Sequence, residues 1–270
     1  MVIRCTGVLL FFFPLLLLAG EPVRGVRSAA LASAGSALPV NPWSVDLNSA
    51  WLSFAGQTSL ALFSIPHQHG LAELRTVAAA ACLPLPFGGG GVSVERFGFD
   101  LYNESAIKGG FGWRFTEIVS AGVTVTGKFI SIQGYGSRWV PLVATGVALK
   151  PFDELLLGGV ATNVFGASVG ATKERLPQTI SWGLTWIPEE LFLATFELSK
   201  DVRFPLVVRG GIERSILPGA AVRVGIISNP RTISAGGSVT VLGAEFGYAG
   251  KYHPDLGWTH HVEVALEIGE

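Results

Sequence analysis

Charged side chains in this sequence recur at a spacing of two, and that spacing is the first clue to what they do. Lys108, Arg114, Lys128, Arg209, Glu213, Arg223, Glu245, Lys251, Glu263 and Glu267 all stand in stretches where polar and apolar residues alternate. Mixed signs at this spacing suit ion pairs along one face of a strand, not a nucleophile with its base. No serine occupies a Gly-x-Ser-x-Gly elbow, so no catalytic residue is assigned. His67 and His69 have ligand-like spacing, and His253, His260 and His261 could join them. No acidic or cysteine ligand accompanies them at metal-site spacing, so they read as solvated loop histidines, with no metal or cofactor expected. Asn103-Glu104-Ser105 matches a glycosylation tripeptide but reads as a polar turn. Cys82 is the only thiol beyond the first few residues and sits in an Ala-rich apolar run, which points to packing and excludes an internal disulfide.

The elements that position these charges are strands. Leu206, Val208, Gly210 and Ile212 interleave with Val207, Arg209, Gly211 and Glu213, and Val222, Val224 and Ile226 with Arg223 and Gly225. The last segment is the cleanest, with Val262, Val264, Leu266 and Ile268 on one side and His261, Glu263, Ala265 and Glu267 on the other. Period-two alternation over about ten residues, punctuated by turn residues, signals a strand with one apolar and one polar face. Similar runs cover residues 60–65, 71–83, 107–116, 119–128 and 180–186, with a turn expected at 88–91 and poor alternation over 138–166. The total is about fourteen strands, an even number, as single-chain bacterial barrels require.

Such a meander could be a soluble sandwich or a membrane barrel. Only 14% of the 270 residues are charged, net charge is −1 and mean hydropathy is +0.47, yet no segment beyond the start is long enough for a membrane helix. A barrel resolves the conflict, because every second residue is apolar and no run need be. A cation on its lipid face costs roughly 2–4 kcal/mol at mid-bilayer, which turns the charged face inward. Near-neutral charge gives no sign of a nucleic-acid partner; outer-membrane lipid is the expected surrounding. Trp182, Trp186, Tyr248, Tyr252 and Trp258 are candidates for interfacial belts.

Residues 1–25 read as a secretory signal, with Arg4 ahead of an apolar core over residues 8–18. Residues 26–56 precede the first strand and are rich in small residues, with Trp43, Asn48, Trp51 and Phe54 as candidate anchors; they read either as a plug inside the barrel or as a disordered leader, and the plug is the expectation. Residues 57–270 form the barrel. One set of turns is tight, at 116–118, 151–154, 188–190, 217–219 and 242–243, and the other is longer, at 133–138, 166–177 and 253–258. In such barrels the short turns are periplasmic and the longer loops extracellular.

Several stretches resemble a known family. They are Asn41-Pro42-Trp43-Ser44, Arg96-Phe97-Gly98-Phe99-Asp100-Leu101-Tyr102, Gly134-Tyr135-Gly136, Glu174-Arg175-Leu176-Pro177-Gln178, Arg209-Gly210-Gly211-Ile212-Glu213 and His253-Pro254-Asp255-Leu256-Gly257-Trp258-Thr259-His260. From residue 41 onward the chain resembles the PorV/PorQ-like outer-membrane proteins, relatives of the FadL long-chain fatty acid transporters. Asn48-Ser49-Ala50 stands where that family usually carries Asn-Pro-Ala. The resemblance implies a fourteen-stranded outer-membrane barrel with an N-terminal segment inside. It implies either movement of hydrophobic compounds, with a hydrophobic small molecule as ligand, or type IX secretion, with secretion-system components as partners. A structural or adhesive barrel with no transported ligand is the alternative.

Overall fold

The computed structural model describes residues 25–169 and 174–269; the expected signal, apart from Gly25, lies outside them. Fourteen antiparallel strands close into a barrel: β1 (Thr58–Ile65), β2 (Thr76–Leu85), β3 (Gly88–Gly98), β4 (Tyr102–Arg114), β5 (Val119–Ile132), β6 (Gly136–Phe152), β7 (Leu155–Ala161), β10 (Thr179–Glu189), β11 (Phe192–Asp201), β12 (Val207–Leu217), β13 (Ala220–Ser228), β14 (Arg231–Val241), β15 (Ala244–His253) and β16 (Gly257–Ile268). Two-residue strands β8 (Ser168–Val169) and β9 (Glu174–Arg175) make a small hairpin outside the barrel sheet. Each barrel strand pairs with its neighbour in sequence, and β1 closes on β16 from Thr58↔Ile268 to Ser64↔Val262. Closure joins the first barrel strand to the last, so neither is left as an open edge strand, which a lipid environment demands of any sheet that spans it.

The alternation sorts the faces. On β16, Val262, Val264, Leu266 and Ile268 are outward and exposed, whereas Thr259 and His261 are inward and buried. The same split places Ile107 and Trp113 outward on β4, and Val222, Val224 and Ile226 outward on β13. An apolar exterior this continuous is a liability in water and a solvation shell in lipid. Outward tryptophans also patch thin places in the wall. The Trp182 ring covers Gly159, Trp139 covers Gly127 and Trp258 covers Gly250. Of the five belt candidates, Tyr252 and Trp258 meet at 5.2 Å near one rim, Trp182 and Trp186 each stand about three residues from an end of β10, and Tyr248 lies near the middle of β15.

Connections at one end are tight, including residues 86–87, 218–219 and 242–243. At the other end residues 66–75 and 162–178 make the longest links. Both ends of the barrel chain lie at the tight-turn end. Three expectations change. Asn103-Glu104-Ser105, expected as a polar turn, lies within β4 and is paired on both sides. The strand expected at 71–83 begins at Thr76, because residues 72–74 form a short 3-10 turn in the preceding loop. The turn expected at 88–91 is the start of β3, and the turn itself is Pro86-Phe87. The glycines there bring the wall close to chain packed inside it.

That inner chain is the segment from residue 25 to 55. It comprises α1 (Gly25–Ala30), α2 (Ser44–Leu47) and a 3-10 helix over Ser49–Phe54, nearly all buried. α1 lies against β13–β16, and the 3-10 helix against β2–β6.

Candidate functional site

The lumen is where side chains of chemical interest converge, and a glycine lining decides how. Inward positions on successive strands are glycine: Gly89 and Gly91 on β3, Gly112 on β4, Gly122 on β5, Gly146 on β6, Gly158 on β7, Gly183 on β10, Gly211 on β12, Gly225 on β13, Gly236 on β14 and Gly247 on β15. A side-chain carbon on Gly211 would lie 2.8 Å from Leu31 Cα, and one on Gly225 would overlap the backbone of Leu31 and Ala32. At Gly112 and Gly122 the obstruction is the backbone of residues 49–53, and at Gly158 it is Ser36. Only the missing Cβ lets inner backbone meet wall backbone this closely.

Polar groups of the inner segment are matched to inward side chains. Ser234 Oγ donates to the Ala30 carbonyl at 2.8 Å and accepts from Ala32 N–H at 3.1 Å. Thr124 donates to the Val45 carbonyl and Ser120 to that of Ala50, both at 3.0 Å. Of the four anchor candidates, Asn48 binds most: Nδ2 donates to Ser36 O at 2.8 Å and Val147 O at 3.0 Å, while Oδ1 accepts from Ala50 N–H at 3.1 Å. Trp51 Nε1 donates to Ser36 O at 2.9 Å. Trp43 Nε1 donates to Glu263 at 2.9 Å, and its ring meets Phe63 edge-on at 5.6 Å. Phe54 lies beneath the Arg114 guanidinium, 4.7 Å away.

The charged candidates point into this space as pairs. Lys108 binds Asp46 of α2 and, at 2.9 Å, Glu95. Burial pushes the Asp46 carboxyl above the usual range, against the pull of Lys108. Lys128 pairs with Glu104 at 2.6 Å and Arg209 with Glu197 at 2.7 Å. Glu213 bridges Arg27 of α1 at 2.7 Å and Arg223 at 2.6 Å, and Arg223 reaches Glu245 at 3.7 Å. Arg114 donates to the Ser53 carbonyl, and Glu263 also accepts Val26 N–H at 3.0 Å. Lys251 faces a small cavity described below.

Glu95, Glu104 and Glu197 were not singled out by the sequence reading, nor was Asp46. Glu197 is the most consequential of these. It is 1% exposed and accepts the N–H groups of Gly35 at 3.0 Å and Ser36 at 2.8 Å besides its arginine. Its signal was present as a period of two on β11, where Thr195, Glu197 and Ser199 alternate with apolar Ala194, Phe196 and Leu198.

Two cavities flank the inner segment. At the long-loop end, a space of about 220 Å³ is lined by His69, Arg209, Ile227, Thr232, Lys251 and His253. At the tight-turn end, one of about 590 Å³ is lined by Arg27, Trp43, Cys82, Glu245, Glu263 and Ala265, among others. The histidines do not form a metal centre. His69 faces His253 with ring centroids 6.2 Å apart, His261 is buried in the lumen, and His260 stacks on Trp258 on the outer face. Among the described residues no group of three or more His, Cys, Asp or Glu is placed to hold a metal ion.

The wall has one short strand. β6 has 17 residues and β7 has 7. Their ladder stops at Thr145↔Ala161, and beyond it the β7-side edge of β6 over residues 136–142 has no ladder partner among the described residues. β2, β3 and β4 pair without interruption.

No family model and no curated protein matches the chain. Solved structures do match its fold. The CymD monoaromatic hydrocarbon channel aligns with TM-score 0.67 and 12% identity over 91% of this chain and 98% of that one. The Ralstonia pickettii toluene transporter TbuX gives 0.69 and 11% over 91% and 98%. A Pseudomonas aeruginosa FadL homologue gives 0.67 and 11% over 92% and 99%. The chain therefore has the closed fourteen-stranded architecture of FadL-type outer-membrane barrels and is a multi-pass outer-membrane protein. Two of these structures are named as a channel and a transporter.

Proposed function

We propose that the protein passes small hydrophobic compounds across the outer membrane, by a sideways route. The observation that carries this reading is the closed axis: residues 25–55 fill the lumen, packed on wall glycines and tied by ion pairs, so a wide aqueous path along the axis is not available. Below the long-loop cavity the lumen is polar and paired, a poor solvent for an apolar solute. The cavity offers Val207, Ile227 and Pro230 as apolar surface and Thr232 and Thr259 for one polar group. The edge of β6 over residues 136–142, which has no ladder partner among the described residues, is the point where the wall would let a solute into lipid, which costs no further dehydration. Its neighbours in fold include two transporters named for toluene and monoaromatic hydrocarbons, which supports a compact apolar substrate class here.

The PorV-like version of this reading would instead make the barrel a docking site for secretion components. It has less support, because the long-loop end carries several connections of only two or three residues, such as 229–230 and 254–256. A purely structural barrel would carry no ligand at all.

The test combines conductance with uptake. In planar bilayers the intact protein should show little conductance, and a variant lacking residues 30–54 should open. Cells expressing the protein should take up labelled toluene faster than cells without it. A large steady conductance of the intact protein would rule out the closed axis, and unchanged uptake would rule out the substrate class.

A further inference from the structure

Outward-facing charge is distributed unevenly between the two rims. Near the tight-turn end, outward Arg214 has a carboxylate partner, Glu189, at 3.5 Å. Near the long-loop end, the outward charges Arg96, Lys200 and Arg231 are all cations, all exposed, and none is ion-paired among the described residues. Each lies within two residues of a strand end: Arg96 before Gly98, Lys200 before Asp201, and Arg231 first on β14.

Two of these cations stand at the heads of apolar grooves on the lipid face. One groove, of about 680 Å³, runs over Ile180, Trp182 and Leu198 and ends at Lys200, whose ammonium donates to the Phe204 carbonyl in the β11–β12 loop. The second, of about 380 Å³, lies between Phe196 and Ile226 and ends at Arg231. Its floor is Gly210, where an added side-chain carbon would find its nearest neighbour, the Thr195 carbonyl, 3.7 Å away. An apolar trough with an unpaired cation at its head fits a lipid whose acyl chain fills the trough and whose anionic headgroup meets the cation.

The chain's own topology selects the leaflet. Longer loops mark the extracellular side of such barrels, so both cations sit at the level of outer-leaflet headgroups. We infer that the grooves over β10–β11 and β11–β13 form a binding site for a phosphorylated glycolipid of the outer leaflet, of the lipid A class, held by Lys200 and Arg231 at its phosphates. Acyl chains are as apolar as the grooves, so burial alone gives little selectivity within a membrane. Preference comes from the charge-assisted contacts, Arg231 offering a planar fork and Lys200 a point charge. The site lies on the outer surface and does not depend on what, if anything, the lumen transports.

Native mass spectrometry of the detergent-solubilised protein tests this against three added lipids: bisphosphorylated lipid A, the same lipid without phosphates, and phosphatidylglycerol. The expected result is preferential retention of the bisphosphorylated form, with roughly five-fold of that preference per cation. A double variant, Lys200→Gln with Arg231→Gln, should bind the phosphorylated and dephosphorylated forms alike, whereas Arg214→Gln should keep the preference. Faster migration of unheated samples on gels reports that each variant is folded. Equal retention of both lipid A forms by the unaltered protein overturns the inference, and this comparison needs no variant. So does a preference that survives the double change, or retention of phosphatidylglycerol equal to that of lipid A.

Discussion

A cation moved by one residue along β16 measures which face meets lipid. The strand has 12 residues; at a rise of ~3.3 Å and a tilt of ~45° it covers roughly 26 Å along the membrane normal, about the height of a barrel's apolar band. Val264, seven residues past Gly257, then lies roughly 3 Å from the midpoint by the same geometry. Its side chain is outward, between Leu62 and Phe246 on the flanking strands. Val264→Arg should therefore cost close to the full midplane penalty, roughly 2–4 kcal/mol, or about 30- to 700-fold in the folding equilibrium. Ala265, the next residue, opens on the 590 Å³ cavity that also holds Glu245, Glu263 and Glu267. An arginine there has space and carboxylates to meet, so Ala265→Arg should cost less than about 1 kcal/mol. Guanidinium titration of each variant in lipid vesicles, followed by tryptophan fluorescence, gives both numbers. Equal losses, or a larger loss at 265, would refute the facing.

Three other outcomes follow from the lumen. Gly225→Val should dislodge the inner segment and expose Arg27 to trypsin, whereas Gly210→Ala, on the outer face, should leave cleavage unchanged; matched behaviour of the two would count against the close packing. Glu197→Ala leaves half-buried Arg209 without its carboxylate and frees two N–H groups, a loss on the order of 3 kcal/mol. It should appear as a lower temperature for the gel-mobility transition. Asn48→Ala removes three hydrogen bonds that join the inner segment to β6 and itself, and should cost roughly 1–3 kcal/mol; unchanged stability in the same vesicle titration would show those bonds to be dispensable.

The alternation in β12–β16 made the barrel legible, because one lipid face and one polar face force a period of two on every spanning strand. Residues 138–166 were harder to read for a physical reason. β7 is short, and part of β6 is paired on one side only, so neither strand faces a uniform environment along its length. The inward glycines were visible as composition but misread as turn material at 88–91, since a sequence does not say what approaches a bare Cα. The ion pairs were half legible: the wall cations stood out by register, while Asp46 and Arg27 lie in short helices where no period of two marks them.

Glu263 has a bearing on how the molecule assembles. It sits on the last strand yet accepts bonds from Val26 and Trp43, more than two hundred residues earlier, and its own strand is zipped to β1, which directly follows the inner segment. The inner segment and β1 therefore meet β16 along a single line, and neither contact can form before β16 is in place. Contacts this distant carry the largest loop-closure entropy and set slow folding rates. Closing the cylinder and seating the inner segment thus become one late event, and the time the chain spends before it is the period in which its apolar exterior stands unsealed at both open edges.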